Sequence, residues 1–281
     1  MMLDRILPIR IRHFPRFVHQ MLERSVVLKR PLPNPPTFHL CFFSCQSYFK
    51  YLYCSLHSIK RHVQVPYKIW VFNDEDMPLT STQIDAIHAL LPNSKVIAWP
   101  KSMGWGATQI AWIWRAYALA AEGLSDNDII ARVDSDVFFF NDRILRAVAR
   151  SDADFVGDGH YVNFEYCQGG CYFLRASAVR KIVALIEKEP IEDMLREIDP
   201  VVEDVAATYF AKRIGMKIWL TWFMMFPDEL RNAGGLTAWQ RMKFSCAHFV
   251  MKNKAAMLEA YEAEVMPPEE ITAFRKLIAI P

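Results

Sequence analysis

Two carboxylates one residue apart, Asp134 and Asp136, sit between the apolar runs Ile129–Val133 and Val137–Phe140, and only Arg132 breaks the first run. Taking an ionised carboxylate out of water is costly, and placing two like charges side by side costs more. Something positive must offset them. A hard divalent cation bound through carboxylate oxygen does so, and the same cation can bridge a diphosphate. The Asp-Ser-Asp triplet alone is a common pattern. Its place at the end of a run read as a buried strand is what points to metal and phosphate chemistry rather than to a solvated turn.

Other residues could complete such a site. In Tyr166-Cys167-Gln168-Gly169-Gly170-Cys171, two glycines precede a strand, and glycine lets a ligand approach the backbone closely. An ordinary tight turn would use them as well. Asp199-Pro200 reads as the start of a helix over 201–213, with Pro200 suited to the first helical position and Glu203 and Asp204 to the first turn. Adjacent helical residues point about 100° apart, so these two acids cannot face a pocket equally. His248 lies in the apolar stretch Cys246–Met251, which also suits a core imidazole. Arg115 lies within the apolar helix Ile110–Leu119 and calls for an anionic partner, a diphosphate or the aspartates. Gly104-Trp105-Gly106 is too short for a phosphate fingerprint and reads as a flexible substrate loop. No Ser-His-Asp or Cys-His nucleophile pattern stands out.

The elements that must position these groups alternate. Phe38–Phe43 is an unbroken apolar strand covered on both faces, followed by a helix to about Arg61. Tyr67–Phe72 is a second strand, ending in Asn73-Asp74-Glu75-Asp76. A helix over 81–91 leads to a third strand, Lys95–Trp99. A long helix from Ala107 to Glu122 is stopped by Gly123. Asp128–Val133 is the fourth strand. This alternation predicts a mostly parallel, Rossmann-type α/β sheet, and ligands of such sheets bind beyond the carboxyl ends of the strands. The second half is more mixed, with strands near 154–157 and 171–175, helices near 177–187 and 201–213, and an apolar stretch over 217–226.

With that alternation, Ile129-Ile130-Ala131-Arg132-Val133-Asp134-Ser135-Asp136-Val137 resembles the nucleotide-sugar-dependent glycosyltransferases of the GT-A fold, over about residues 37–255. The resemblance implies a single GT-A domain over 37–281, with a nucleotide-binding half (37–136), an acceptor and catalytic half (137–255) and a helical tail (256–281). It implies a hexosyltransferase that uses Mn2+ or Mg2+, takes a nucleotide-diphosphate sugar, UDP-sugar first, and acts on a glycan or glycolipid. Asp134 and Asp136 then hold the metal, and Asp134 also contacts the ribose. Ser44 and Asp74, after the first two strands, take the base and ribose. Gln168, Gly169 and Gly170 shape the sugar and acceptor pocket, Gln168 as a catalytic candidate and the two glycines, with Arg115 and Lys254, as contacts of the nucleotide-sugar. Asp204, favoured over Glu203, is the base of inverting relatives or the donor-sugar contact of retaining ones. In the retaining branch that includes glycogenin and lipopolysaccharide galactosyltransferases, His-x-x-Gly-x-x-Lys-Pro-Trp completes the metal site. His248 and Lys254 keep that spacing, while Met251 and Ala255-Ala256 depart from it. A sugar-phosphate nucleotidyltransferase would carry a glycine-rich loop after the first strand, and Phe42–Ser47 has no glycine. A catalytically silent sugar- or lipid-binding module of the same fold is the other alternative.

The bulk properties fit one globular chain. Among its 281 residues 52% are hydrophobic, which excludes disorder, and the net charge of +2 carries no nucleic-acid signature. The charge is uneven. Residues 1–33 hold Arg5, Arg10, Arg12, Arg16, Arg24, Lys29 and Arg30 against Asp4 and Glu23. Pro31–Pro36 reads as a stiff linker, so residues 1–36 form a basic extension. Phe17, Met21, Leu22 and Val26 predict an amphipathic helix there, and contact of residues 1–30 with an anionic membrane surface is expected. The six cysteines read as free thiols of a reducing compartment. The chain shows neither a secretory signal nor a spanning run, which leads to the expectation of a cytoplasmic enzyme, peripheral on a membrane.

Overall fold

The computed structural model describes residues 14–100, 103–161, 164–225, 243–250, 254–265 and 268–279. After helix α1 (Phe14–Leu28) come β1 (Phe38–Ser44), α2 (Phe49–His62), β2 (Tyr67–Asp74), α3 (Ser81–Leu90), β3 (Lys95–Trp99), α4 (Ala107–Ala121) and β4 (Ile129–Val133). Then follow β5 (Val137–Phe139), α5 (Arg143–Arg150), β6 (Phe155–Tyr161), β7 (Glu165–Arg175), α6 (Ala176–Lys188), α7 (Ile191–Leu195) and α8 (Glu203–Arg213). The chain continues through β8 (Ile218–Leu220), β9 (Met224–Met225), β10 (Cys246–His248), α9 (Lys254–Val265) and α10 (Pro268–Ile278).

Seven strands form one sheet in the order β3-β2-β1-β4-β7-β6-β8, and β5-β10-β9 form a second. β3, β2, β1 and β4 run parallel, and only β7 runs against its neighbours in the large sheet. Every residue of β1 is buried because helices cover both faces. Phe38, Leu40 and Phe42 pack with Leu52, Leu56 and Ile59 of α2, whereas Cys41 and Phe43 pack with Ile113, Trp114 and Tyr117 of α4. This is why β1 and β2 read as unbroken apolar runs rather than alternating ones. Local signals agree: Thr80 and Gln83 form a reciprocal capping box on α3, and Gly123 at φ +68° follows α4.

Helix α1 forms over the stretch that carries Leu22 and Val26, and it turns both away from the body of the protein. Those two side chains are 63% and 62% exposed, while Gln20, Arg24 and Val27 are buried. Arg24 donates to the Trp222 and Lys243 carbonyls at 2.8 and 2.9 Å, and Gln20 exchanges hydrogen bonds with the Leu220 carbonyl and the Trp222 N–H. Beside Arg24, Asp158 accepts from the Phe223 and Met224 N–H groups, and burial pushes its carboxyl up to about 7. Irregular backbone that must be satisfied there chose polar residues for the buried face. Two other expectations shift. Helix α8 begins at Glu203, so Pro200 stands before it rather than in its first turn, and β7 runs back to Glu165 through both glycines. Among the described residues, no helix is long and apolar enough to cross a membrane, and all six cysteines are free and buried.

Candidate metal centre and its cavity

The carboxyl end of β4 delivers Asp134 and Asp136, and β10 returns antiparallel to β5 so that His248 pairs with Val137. One ligand atom from each of Asp134, Asp136 and His248 lies within 4.8 Å of the others. His248 Nε2 stands 3.2 Å from Asp136 Oδ1 and 3.6 Å from Asp134 Oδ2, and Lys254 Nζ stands 3.0 Å from Asp136 Oδ2. The spacing of His248 and Lys254 thus brings both to one carboxylate. Burial alone would raise the pKa of Asp136, but the His248 bond and the nearby charges hold it below its ordinary value. Asp134 is raised, chiefly by burial. Two carboxylates and an imidazole, close-set and largely withdrawn from water, suit a divalent metal ion.

Around this cluster lies a cavity of about 640 Å3. Gln168, Gly169, Gly170, Glu203, Asp204 and Lys254 line it together with the three metal-type residues. The space left by the two glycines is taken by side chains of the protein itself. A Cβ on Gly169 would stand 3.0 Å from Asp204 Oδ2, and one on Gly170 would stand 2.3 Å from His248 Nδ1. Gln168 holds the same corner, its Oε1 accepting from the Gly170 N–H and its Nε2 lying 3.3 Å from His248 Nδ1. Asp204 accepts from the N–H groups of Gly169 and Val205, both at 2.9 Å.

Arg132, which the sequence reading passed over, links the two carboxylate groups of the site. Its guanidinium pairs with Asp134 Oδ1 at 2.9 Å and with Glu203 Oε2 at 3.0 Å, and its Nε donates to the Gly169 carbonyl at 3.1 Å. Burial would lower its pKa, but Asp134 and Glu203 reverse that and keep it charged. Glu203 also accepts from the buried Tyr172 hydroxyl, which pairs with Tyr117 at 2.9 Å. Burial pushes Glu203 up to about 7. A lone arginine in an apolar strand, two residues before the triplet, was the available signal.

Three expected binders lie elsewhere. Ser44 is buried at the end of β1, with its hydroxyl 3.2 Å from Ser135, and Asp74 accepts from the Asp76 and Met103 N–H groups. Neither lines this cavity. Arg115 is exposed on α4 rather than embedded in the core, and its guanidinium lies over the Trp112 ring at 4.5 Å, so it needs no buried anion.

Searched by sequence, the chain matches no family model and no curated protein. Its fold does match solved structures. The galactosyltransferase LgtC, solved with donor and acceptor sugar analogues, superposes with a TM-score of 0.51 at 13% identity, over 84% of this chain and 99% of that one. Mouse xyloside xylosyltransferase 1 gives 0.52 at 11% identity, over 78% and 99%. The bifunctional glycosyltransferase WbbM gives 0.51 at 12%, over 88% of this chain and 52% of that one. A mostly parallel sheet that carries two aspartates at the end of its fourth strand, and superposes on all three, is the GT-A fold of these glycosyltransferases.

Proposed function

We propose that this chain is a metal-dependent glycosyltransferase that moves a sugar from a nucleotide-diphosphate donor, a UDP-sugar first among them, to a hydroxyl of a glycan or glycolipid. The observation that carries the reading is the Asp134-Asp136-His248 cluster at the strand ends, inside a cavity with two further carboxylates. These three residues would hold Mn2+ or Mg2+, and the imidazole favours Mn2+. Such an ion, when bound, neutralises the diphosphate of the donor. Lys254 adds a second positive charge on the same side.

Of the two acids of α8, the geometry favours Glu203 over Asp204 as the group that meets the sugar. Both Asp204 oxygens accept backbone N–H groups, so its carboxylate anchors β7 to the helix. Glu203 is held instead by side chains, Tyr172 at one oxygen and Arg132 at the other; burial raises both acids, and Glu203, at about 7, suits proton transfer near neutral pH. A glycolipid acceptor agrees with the exposed Leu22 and Val26 beside Lys29 and Arg30, a face suited to an anionic membrane surface.

Isothermal titration with UDP, with and without Mn2+, followed by hydrolysis assays over a UDP-sugar panel, tests the reading. Metal-dependent UDP binding and release of UDP from one donor are expected. Metal-independent binding, or turnover of a sugar phosphate with a nucleoside triphosphate, would replace it with the silent-module or nucleotidyltransferase reading.

A further inference from the structure

Trp105 differs from the other tryptophans. Among the described residues, Trp70 and Trp114 are buried and Trp99, Trp112, Trp219 and Trp222 are half-buried, but Trp105 is 83% exposed. It is also part of the cavity wall. Its neighbours Gly104 and Gly106 have φ of +124° and +90°, a region that side chains rarely adopt. A Cβ on Gly106 would meet nothing within 4 Å, and one on Gly104 only the Gln109 side chain at 3.7 Å. Close packing therefore does not require these glycines. The backbone path does, and it leaves the indole exposed at the cavity wall. An indole left in water forfeits the burial that stabilises its neighbours.

The cavity offers two kinds of surface. The metal cluster and Lys254 concentrate charge around Asp136, which suits a diphosphate. The same wall also holds apolar side chains: Ile110 and Ile113 of α4, the helix that begins just after Gly106, and Val202 just before α8, the helix that packs against α4. The face of an indole is electron-rich, and the C–H face of a pyranose ring is its natural complement, with the hydroxyls left at the edge to water. With the donor fixed by its diphosphate, this wall is free for the group that arrives from solvent. We infer that Trp105 is the platform on which the acceptor's sugar ring stacks, so that the acceptor presents a pyranoside next to the reacting hydroxyl. The inference rests on the glycosyltransferase reading for the word acceptor, and on the exposed indole and its glycines for the platform itself.

The test uses the full chain, Trp105→Phe and Trp105→Ala. Saturation-transfer NMR measures binding of methyl glucoside, galactoside, mannoside and xyloside with UDP and Mn2+ present, and calorimetry measures UDP with Mn2+. The parent should bind at least one glycoside. Trp105→Ala should weaken it by roughly tenfold or more, as for an aromatic anchor, while Trp105→Phe stays within about threefold and UDP affinity within about twofold. A parent that binds none of the glycosides, or an alanine variant that binds as the parent does, overturns the platform. So does a loss of UDP affinity equal to the loss of glycoside, because the indole would then stack on the base. If glycoside binding depends on Trp105 but UDP binding shows no metal dependence, the sugar platform stands and the transferase reading falls.

Discussion

One methyl group added at Gly170 tests whether His248 belongs to the metal centre. Gly170 is not among the glycines with positive φ, so alanine meets no backbone strain there. The obstacle is the imidazole. A Cβ would lie 2.3 Å from His248 Nδ1 and 2.7 Å from both Cγ and Cε1, and ordinary contact begins at 3.4 Å. The ring must therefore retreat by about 1 Å, several times the roughly 0.2 Å tolerance of a metal–ligand distance. Disturbing what orients a ligand typically costs about 10–100-fold in metal affinity. Gly170→Ala should lose Mn2+ affinity in that range, read by calorimetry with UDP present. His248→Ala should lose at least as much. The double variant should lose no more than His248→Ala alone, because the alanine acts only through the ring. A Gly170→Ala protein that keeps its melting temperature and binds Mn2+ as the parent does would refute the reasoning and return His248 to the core.

Two more predictions concern buried carboxyls. Glu203→Gln should lower turnover by roughly 100-fold or more with UDP affinity little changed, whereas Asp204→Asn should act mainly on stability, by about 1–3 kcal/mol, by weakening two backbone contacts. The reverse pattern in steady-state kinetics swaps their roles, and full activity in both leaves them as helix-start residues only. Asp158 sets a pH dependence of stability. Burial raises it from 3.8 to about 7 in the folded chain, so between those values the folded state binds more protons than the unfolded one. Its contribution is complete below about pH 4 and is lost as pH rises to about 7, by roughly 4 kcal/mol at most. Melting curves from pH 4 to 8 should show a shallower decline in Asp158→Asn, and parallel curves would remove Asp158 from the account.

The half of the fold that carries the aspartates was legible because its signals are local. Strands buried on both faces read as apolar runs, and the glycine after α4 sits beside the helix it ends. The Asp-Ser-Asp triplet needed nothing further away than its flanking strands. What was hidden depends on partners distant in sequence. Arg132 looked like an interruption because Glu203, 71 positions later, was not visible as its partner. The seat of α1 was hidden in the same way, since Gln20 and Arg24 face the body to satisfy carbonyls made some 200 residues later. Arg115 seemed to need an anion because one-dimensional context cannot show that its side of α4 meets solvent.

The docking of α1 also has a meaning in time. The helix is made well before its seat: the carbonyls that Arg24 grips belong to Trp222 and Lys243, 198 and 219 residues downstream. At about 5–20 residues per second that is a delay of some tens of seconds. Through that interval the growing chain carries this helix with no seat, and it can dock only once the segment through Lys243 has been made. A segment made early is thus fixed late.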